Sequence, residues 1–96
     1  MYLIDLEYQV PLEQVDAARD AHVAFLREQY AQGVFLFSGR KVPRSGGIIL
    51  ARGVTLDELD AILQKDPFRQ QGLARYTVTE FVAGMTAPEL AQFQEG

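Results

Sequence analysis

The chain of 96 residues is long enough for one hydrophobic core and too short for two. With 48% hydrophobic and 23% charged residues it has the mix of a globular domain, and with no cysteine it has neither a disulfide framework nor a thiolate nucleophile. A formal net charge of −4 argues against general nucleic-acid binding, which needs a basic surface.

No apolar run approaches the roughly 20 residues needed to span a bilayer, so no membrane partner is expected. The N-terminal M-Y-L-I-D-L-E lacks the basic start of a signal peptide, and a cytoplasmic location is the simplest expectation. The charge is unevenly spread. Residues 1–28 carry six acids and two bases, and residues 57–96 carry seven acids and three bases. Residues 29–56 hold no acid, but contain Arg40, Lys41, Arg44 and Arg52. A basic island in an acidic chain marks either an anion-binding spot or a solvated loop.

In chain order, Y-L-I-D-L-E-Y (2–8) alternates with strand period, Tyr2, Ile4, Leu6 and Tyr8 sharing one face. Pro11 opens a helix that the periodicity carries to about Gln32, and Gly33 serves as its stop. V-F-L-F-S (34–38) reads as a second strand and G-I-I-L-A (47–51) as a third, joined by the loop G-R-K-V-P-R-S-G-G. T-L-D-E (55–58) is a capping box that starts a second helix, burying Leu59, Ile62 and Leu63 and running to Asp66. R-Y-T-V-T-E-F-V (75–82) alternates as a fourth strand, and the tail from Thr86 has the pattern of a short final helix.

The order β-α-β-β-α-β predicts an α+β, ferredoxin-like sandwich: an antiparallel four-stranded sheet with two helices on one face. Residues 1–84 form that domain and residues 85–96 a C-terminal tail. The second and third strands are apolar on both faces, and two helices cover only one. The uncovered face is therefore expected to meet a second subunit, giving a homodimer packed sheet to sheet.

The one histidine, His22, lies near the middle of the helix face that should pack on the sheet. At 100° per residue Val15, Ala18, Leu26 and Gln29 fall within about 40° of it. Arg19 lies about 60° to one side and can share a cleft with it. A buried imidazole must satisfy its ring N–H, and a carboxylate partner would fix its tautomer and make it a proton carrier near neutral pH. The alternative is a core histidine bonded to a backbone carbonyl. In K-D-P-F (65–68), Asp66 reads locally as the N-cap of a short turn that starts at Pro67 and ends at Gly72. The pre-proline restriction stops the preceding helix there.

The segments R-D-A-H-V-A-F-L (19–26), L-F-S-G (36–39), G-I-I-L-A (47–51), T-L-D-E-L and D-P-F-R-Q-Q-G-L (66–73) follow one another in an order that resembles the YciI-related (YCII domain) family, over roughly residues 1–82. The resemblance implies a dimeric α+β barrel and an active site built from the helix histidine and the D-P-F aspartate, here His22 and Asp66. It also associates a branch of the family with dehydrochlorination of chlorinated hydroxyquinones, a cofactor-free elimination, and related barrels with lactone isomerisation. One departure stands out: where the family commonly shows G-P after the second strand, Gly39 is followed here by Arg40, with proline delayed to Pro43.

The leading expectation is cofactor-independent acid–base chemistry (elimination, isomerisation or hydrolysis) on a small anionic or enolisable substrate. Asp66 would orient His22, His22 would move the proton, Ser38 could donate to the substrate, and Arg19, Arg40 or Arg44 could stabilise an enolate or carboxylate. No metal or cofactor is implied: one histidine with scattered carboxylates lacks ligand spacing, and S-G-G-I (45–48) leads into a strand rather than the helix a phosphate loop needs. The alternatives are a non-catalytic dimeric module that binds a small molecule, and a regulatory domain that uses the basic 40–44 loop. A dyad that lines a solvent-reachable pocket favours catalysis, whereas a sealed one favours the structural role.

Overall fold

β1 (Tyr2–Tyr8) behaves as its alternation requires: Tyr2, Ile4 and Leu6 are buried, while Leu3 and Glu7 are exposed. In the computed structural model, which describes residues 1–96, it is a central strand of a four-stranded sheet. The other strands are β2 (Phe35–Arg40), β3 (Gly46–Ala51) and β4 (Ala74–Glu80), in the order β2-β3-β1-β4 with every pairing antiparallel. That is the order of a ferredoxin-like α+β sandwich, in which each helical crossover skips one strand.

The helix expected from Pro11 to Gln32 is broken. It forms α1 (Leu12–Ala17) and α2 (Arg19–Ala31), with Ala18 between them at φ −102° and ψ 1°. The Ala18 N–H bonds to the Val15 carbonyl, three residues back, at 3.1 Å, so the chain tightens there for one turn. Alanine is the best helix former, and nothing in the local sequence marks the break. Gly33 sits at φ +75°, the left-handed stop predicted for it.

α3 (Leu56–Leu63) starts on the predicted capping box, the Glu58 N–H donating to Thr55 Oγ1 at 3.2 Å and the Thr55 N–H to Glu58 Oε1 at 2.8 Å. It ends three residues before Asp66, which caps the separate short helix α4 (Pro67–Gln70). β4 likewise starts and ends earlier than the alternation suggested, at Glu80 rather than Val82. The tail forms a single 3₁₀ stretch, Pro88–Phe93, with the Arg52 guanidinium 5.0 Å from the centre of the Phe93 ring.

The core lies between the helices and one face of the sheet, where Ile4, Val15, Leu59 and Leu63 are fully buried beside Phe25, Phe35 and Ile49. Each such aliphatic side chain contributes about 1.5–3 kcal/mol by leaving water. Gly46 packs where a side chain cannot: a Cβ built there would lie 1.8 Å from the Leu6 carbonyl oxygen.

β2 carries the feature that matters most for the cleft. A register shift between Phe35 and Phe37 pairs Phe35 with Ala51, Phe37 with Leu50 and Ser38 with Ile49. Strict alternation from Phe35 would send Phe37 inward and Ser38 outward. The bulge reverses this: Phe37 is 55% exposed on the far face and Ser38 turns to the helix side. The far face is apolar at one end, with Phe37, Leu50 and Leu3 in a row, and charged at the other. There Lys41 pairs with Asp5 at 2.7 Å and Arg75 with Glu7 at 2.8 Å. No helix is long and apolar enough to cross a membrane.

Candidate active site

Asp66 is fully buried, a costly place for a carboxylate unless its oxygens are satisfied. The local sequence brings it there: Leu63 closes α3 in the core, and Pro67 and Phe68 start α4 immediately after. Its Oδ1 accepts the Phe68 N–H at 3.0 Å, the N-cap bond predicted for this position. The same oxygen lies 2.7 Å from His22 Nδ1. Its Oδ2 accepts the Tyr76 hydroxyl proton.

These contacts fix the charge arrangement. Burial, and then the adjacent Asp66 carboxylate, push the Tyr76 phenol far above the ordinary tyrosine value, so it keeps its proton and donates. Phe68 N–H can only donate. With those two donors on it, an Asp66 carboxylate can take a third hydrogen bond, from Nδ1–H in the tautomer that carries its hydrogen there. Nε2, which has no protein partner, is left to the cleft.

His22 is also held from its face. Its ring stacks on Phe68 with centroids 3.8 Å apart and an interplanar angle of 2°. Phe68 in turn meets Tyr8 edge to face at 6.1 Å. A residue of α2 is thus clamped between a bond from one side and an aromatic plane from another, both supplied by the D-P-F segment.

His22 is not sealed: its side chain is 13% exposed at the inner end of a cleft of about 400 Å³. Arg19, Ser38, Arg40 and Arg44 line the same cleft, with Leu6, Val23, Leu26 and Ile49 forming its apolar walls. All the residues singled out from sequence therefore converge, Asp66 excepted, which stands behind His22 rather than in the lining. Arg44 is tied to Asp16 at the rim by a hydrogen-bonded ion pair. That bond holds the Asp16 carboxyl below the usual carboxylate range and raises the guanidinium in return. Ser38 Oγ shares a short hydrogen bond with the Tyr30 hydroxyl. Arg19 and Arg40 form no salt bridge.

Sequence reasoning missed Tyr76, Phe68 as the stacking plane, Tyr30 and Asp16. Tyr76 had a usable signal, since it shares the inward face of β4 with Val78. Asp16 had none, because its partner is 28 residues away on a loop. No cluster of three or more histidine, cysteine or carboxylate side chains is arranged as metal-ion donors.

The sheet order, the helix histidine and the capped aspartate define an α+β domain with a buried aspartate–histidine pair beneath an open cleft. The model of the YCII-related domain matches residues 1–82, and the chain belongs to that family. Among solved structures, it is similar to 5-chloro-2-hydroxyhydroquinone dehydrochlorinase from Burkholderia phenoliruptrix AC1100 in complex with 2,5-dihydroxybenzoquinone. The likeness covers 88% of this chain and 96% of that one, with a TM-score of 0.72 at 20% sequence identity, and it establishes the shared fold. No curated protein matches the chain.

Proposed function

We propose that the protein is an acid–base catalyst, working without a cofactor, that moves a proton on a small anionic or enolisable compound. The observation that carries this reading is the placement of His22: Nδ1 bonded to a fully buried carboxylate, and the rest of the ring opening on a cleft with three arginines. In this scheme the Asp66 carboxylate accepts the His22 Nδ1–H, so that Nε2 offers its lone pair to the substrate. A substrate C–H or O–H proton passes to Nε2, and its electron pair moves into the adjacent unsaturated system as an enolate. Asp66 stabilises the imidazolium so formed, and the cleft's guanidinium groups stabilise the enolate. Return of the proton to another atom gives isomerisation, and loss of a leaving group gives elimination. The similar solved structure is named as a dehydrochlorinase, an enzyme of the second kind, which supports this range.

Tyr76 and Phe68 are positioning residues in this scheme. The tyrosine holds the second oxygen of Asp66, so the carboxylate cannot rotate away from His22, and the phenylalanine fixes the ring plane. The protein is further proposed to act as a homodimer through the apolar end of the outer sheet face, where Leu3 and Phe37 are 36% and 55% exposed beside Leu50. Sedimentation at micromolar concentration is expected to give twice the chain mass, and a monomer at that concentration refutes the assembly.

The test is a thermal-shift screen of small carboxylates, lactones and halogenated phenols, followed by turnover assays of every hit on wild type and His22→Ala. Catalysis expects a hit whose conversion falls at least about 100-fold in the variant. Hits that bind both proteins without conversion by either favour a non-catalytic binding module instead.

A further inference from the structure

The three arginines of the cleft are not equivalent. Arg44 is committed to Asp16, and that pair is close to neutral. Asp16 is the only acid in the cleft lining. Arg19, at the start of α2, and Arg40, at the end of β2, form no salt bridge, although Arg19 stands near enough to Asp16 to add to the lowering of its carboxyl. The lining therefore has a net charge of +2, counted as Arg19, Arg40 and Arg44 against Asp16 with His22 neutral, in a chain whose total is −4. A concave site of one sign concentrates ions of the other, and its low-dielectric walls strengthen the effect. Apart from these polar groups the lining is largely apolar, with Leu6, Val23, Leu26 and Ile49.

From this division of labour we infer that the substrate is a small carboxylate with an apolar or ring body, anchored by Arg19 and Arg40 so that its acidic proton meets His22 Nε2. The inference rests on the acid–base reading of the same site and adds to it the substrate class and the two anchoring residues. A guanidinium binds a planar carboxylate through two parallel N–H donors, which fixes orientation as well as position. A neutral molecule of the same shape would leave two cations unmatched and gain only the apolar walls. The cleft volume of about 400 Å³ suits a single-ring compound.

The test compares phenylpyruvate, an enolisable carboxylate, with its methyl ester and with phenylphosphonate, at constant ionic strength. Binding is read by thermal shift and calorimetry on wild type, Arg19→Gln, Arg40→Gln and His22→Ala. Both arginines are exposed, so their substitution leaves the fold intact, as urea denaturation of each variant will confirm. Phenylpyruvate is expected to raise Tm by about 5–10 °C at tenfold excess over Kd. The ester, and phenylpyruvate on either arginine variant, should bind about tenfold or more weakly. Binding to His22→Ala should persist, while exchange of the C3 protons with solvent deuterium is lost.

Equal binding of the ester and the acid overturns the inference. So does undiminished binding to both arginine variants, or phenylphosphonate binding more tightly than phenylpyruvate. Arginine-dependent binding with no His22-dependent exchange leaves the carboxylate site standing and refutes the acid–base reading, so the two failures are told apart.

Discussion

Two aspartates, one behind the cleft and one at its rim, hold a cation-forming partner, and they do it under opposite conditions. Asp66, behind His22, has 0% side-chain exposure and three hydrogen-bond partners; Asp16, at the rim, is 51% exposed and is hydrogen-bonded to Arg44 alone. In the interior, each unmet donor or acceptor costs most of its lost hydration, so the Asp66 cluster must be complete to be tolerated. At the rim, water and salt stand in for either partner, so the Asp16–Arg44 pair sets the local charge and shape but contributes little to stability. The contrast separates what holds the histidine from what tunes the entrance.

The largest expected effect comes from removing the inner carboxylate. Asp66→Ala strips α4 of its cap and leaves His22 Nδ1–H and the Tyr76 hydroxyl without an acceptor. A loss of about 3–5 kcal/mol in urea denaturation is expected, as for a broken buried pair. A loss below about 1 kcal/mol would mean that water replaces the carboxylate and that the inner site is less closed than described.

Next is Tyr76→Phe, which keeps the ring and orphans one oxygen of Asp66, at an expected cost of about 1–3 kcal/mol. It also carries a pH signature. Because the folded-state pKa of Tyr76 is raised, the native state holds the proton that the unfolded chain releases near pH 10. Stability is therefore fully present below about pH 10 and falls as pH rises beyond it. The variant should lose stability less steeply with alkali, as measured by denaturation between about pH 9 and 11. An unchanged slope would show that Tyr76 titrates freely.

The smallest effect belongs to the rim. Asp16→Asn should leave the denaturation midpoint unchanged within error at neutral pH. Its lowered folded-state pKa gives a contribution present above about pH 4 and lost as pH falls through the depressed value, a window where Glu58 and Glu95 act in the same direction. About 0.5 M salt should cancel the rim pair's effect on the affinity of an anionic ligand while leaving the Asp66 cluster intact. A midpoint shift comparable to that of Tyr76→Phe would erase the distinction between the two pairs.

How much of this was legible in the sequence follows from the range of each interaction. The capping box at Thr55 and Glu58, the cap at Asp66, the stop at Gly33 and the alternation of β1 are encoded within a few residues, and all of them form. The strand–helix order was enough for the sheet, and the family resemblance was enough to pair His22 with Asp66. The break at Ala18 was not legible, because alanine continues a helix as readily as any residue. The bulge in β2 was not legible either: V-F-L-F-S has no glycine to signal it, and only the pairing with β3 shows that Ser38 turns inward. Tyr76 needed the register of β4 beside α4, and Asp16 needed the fold of the Arg44 loop over α1. What the sequence withheld was the third member of the inner cluster, Tyr76, and the rim partner of Arg44, Asp16.

The most direct test of the central claim is solvent deuterium exchange into an enolisable carboxylate such as phenylpyruvate, followed by NMR with wild type, His22→Ala and Asp66→Asn. Catalysed exchange is predicted for the wild type, with a loss of at least about 100-fold in His22→Ala and a smaller loss in Asp66→Asn that correlates with the weakened hold on Nδ1. Exchange catalysed by the wild type and by His22→Ala at equal rates would contradict the account.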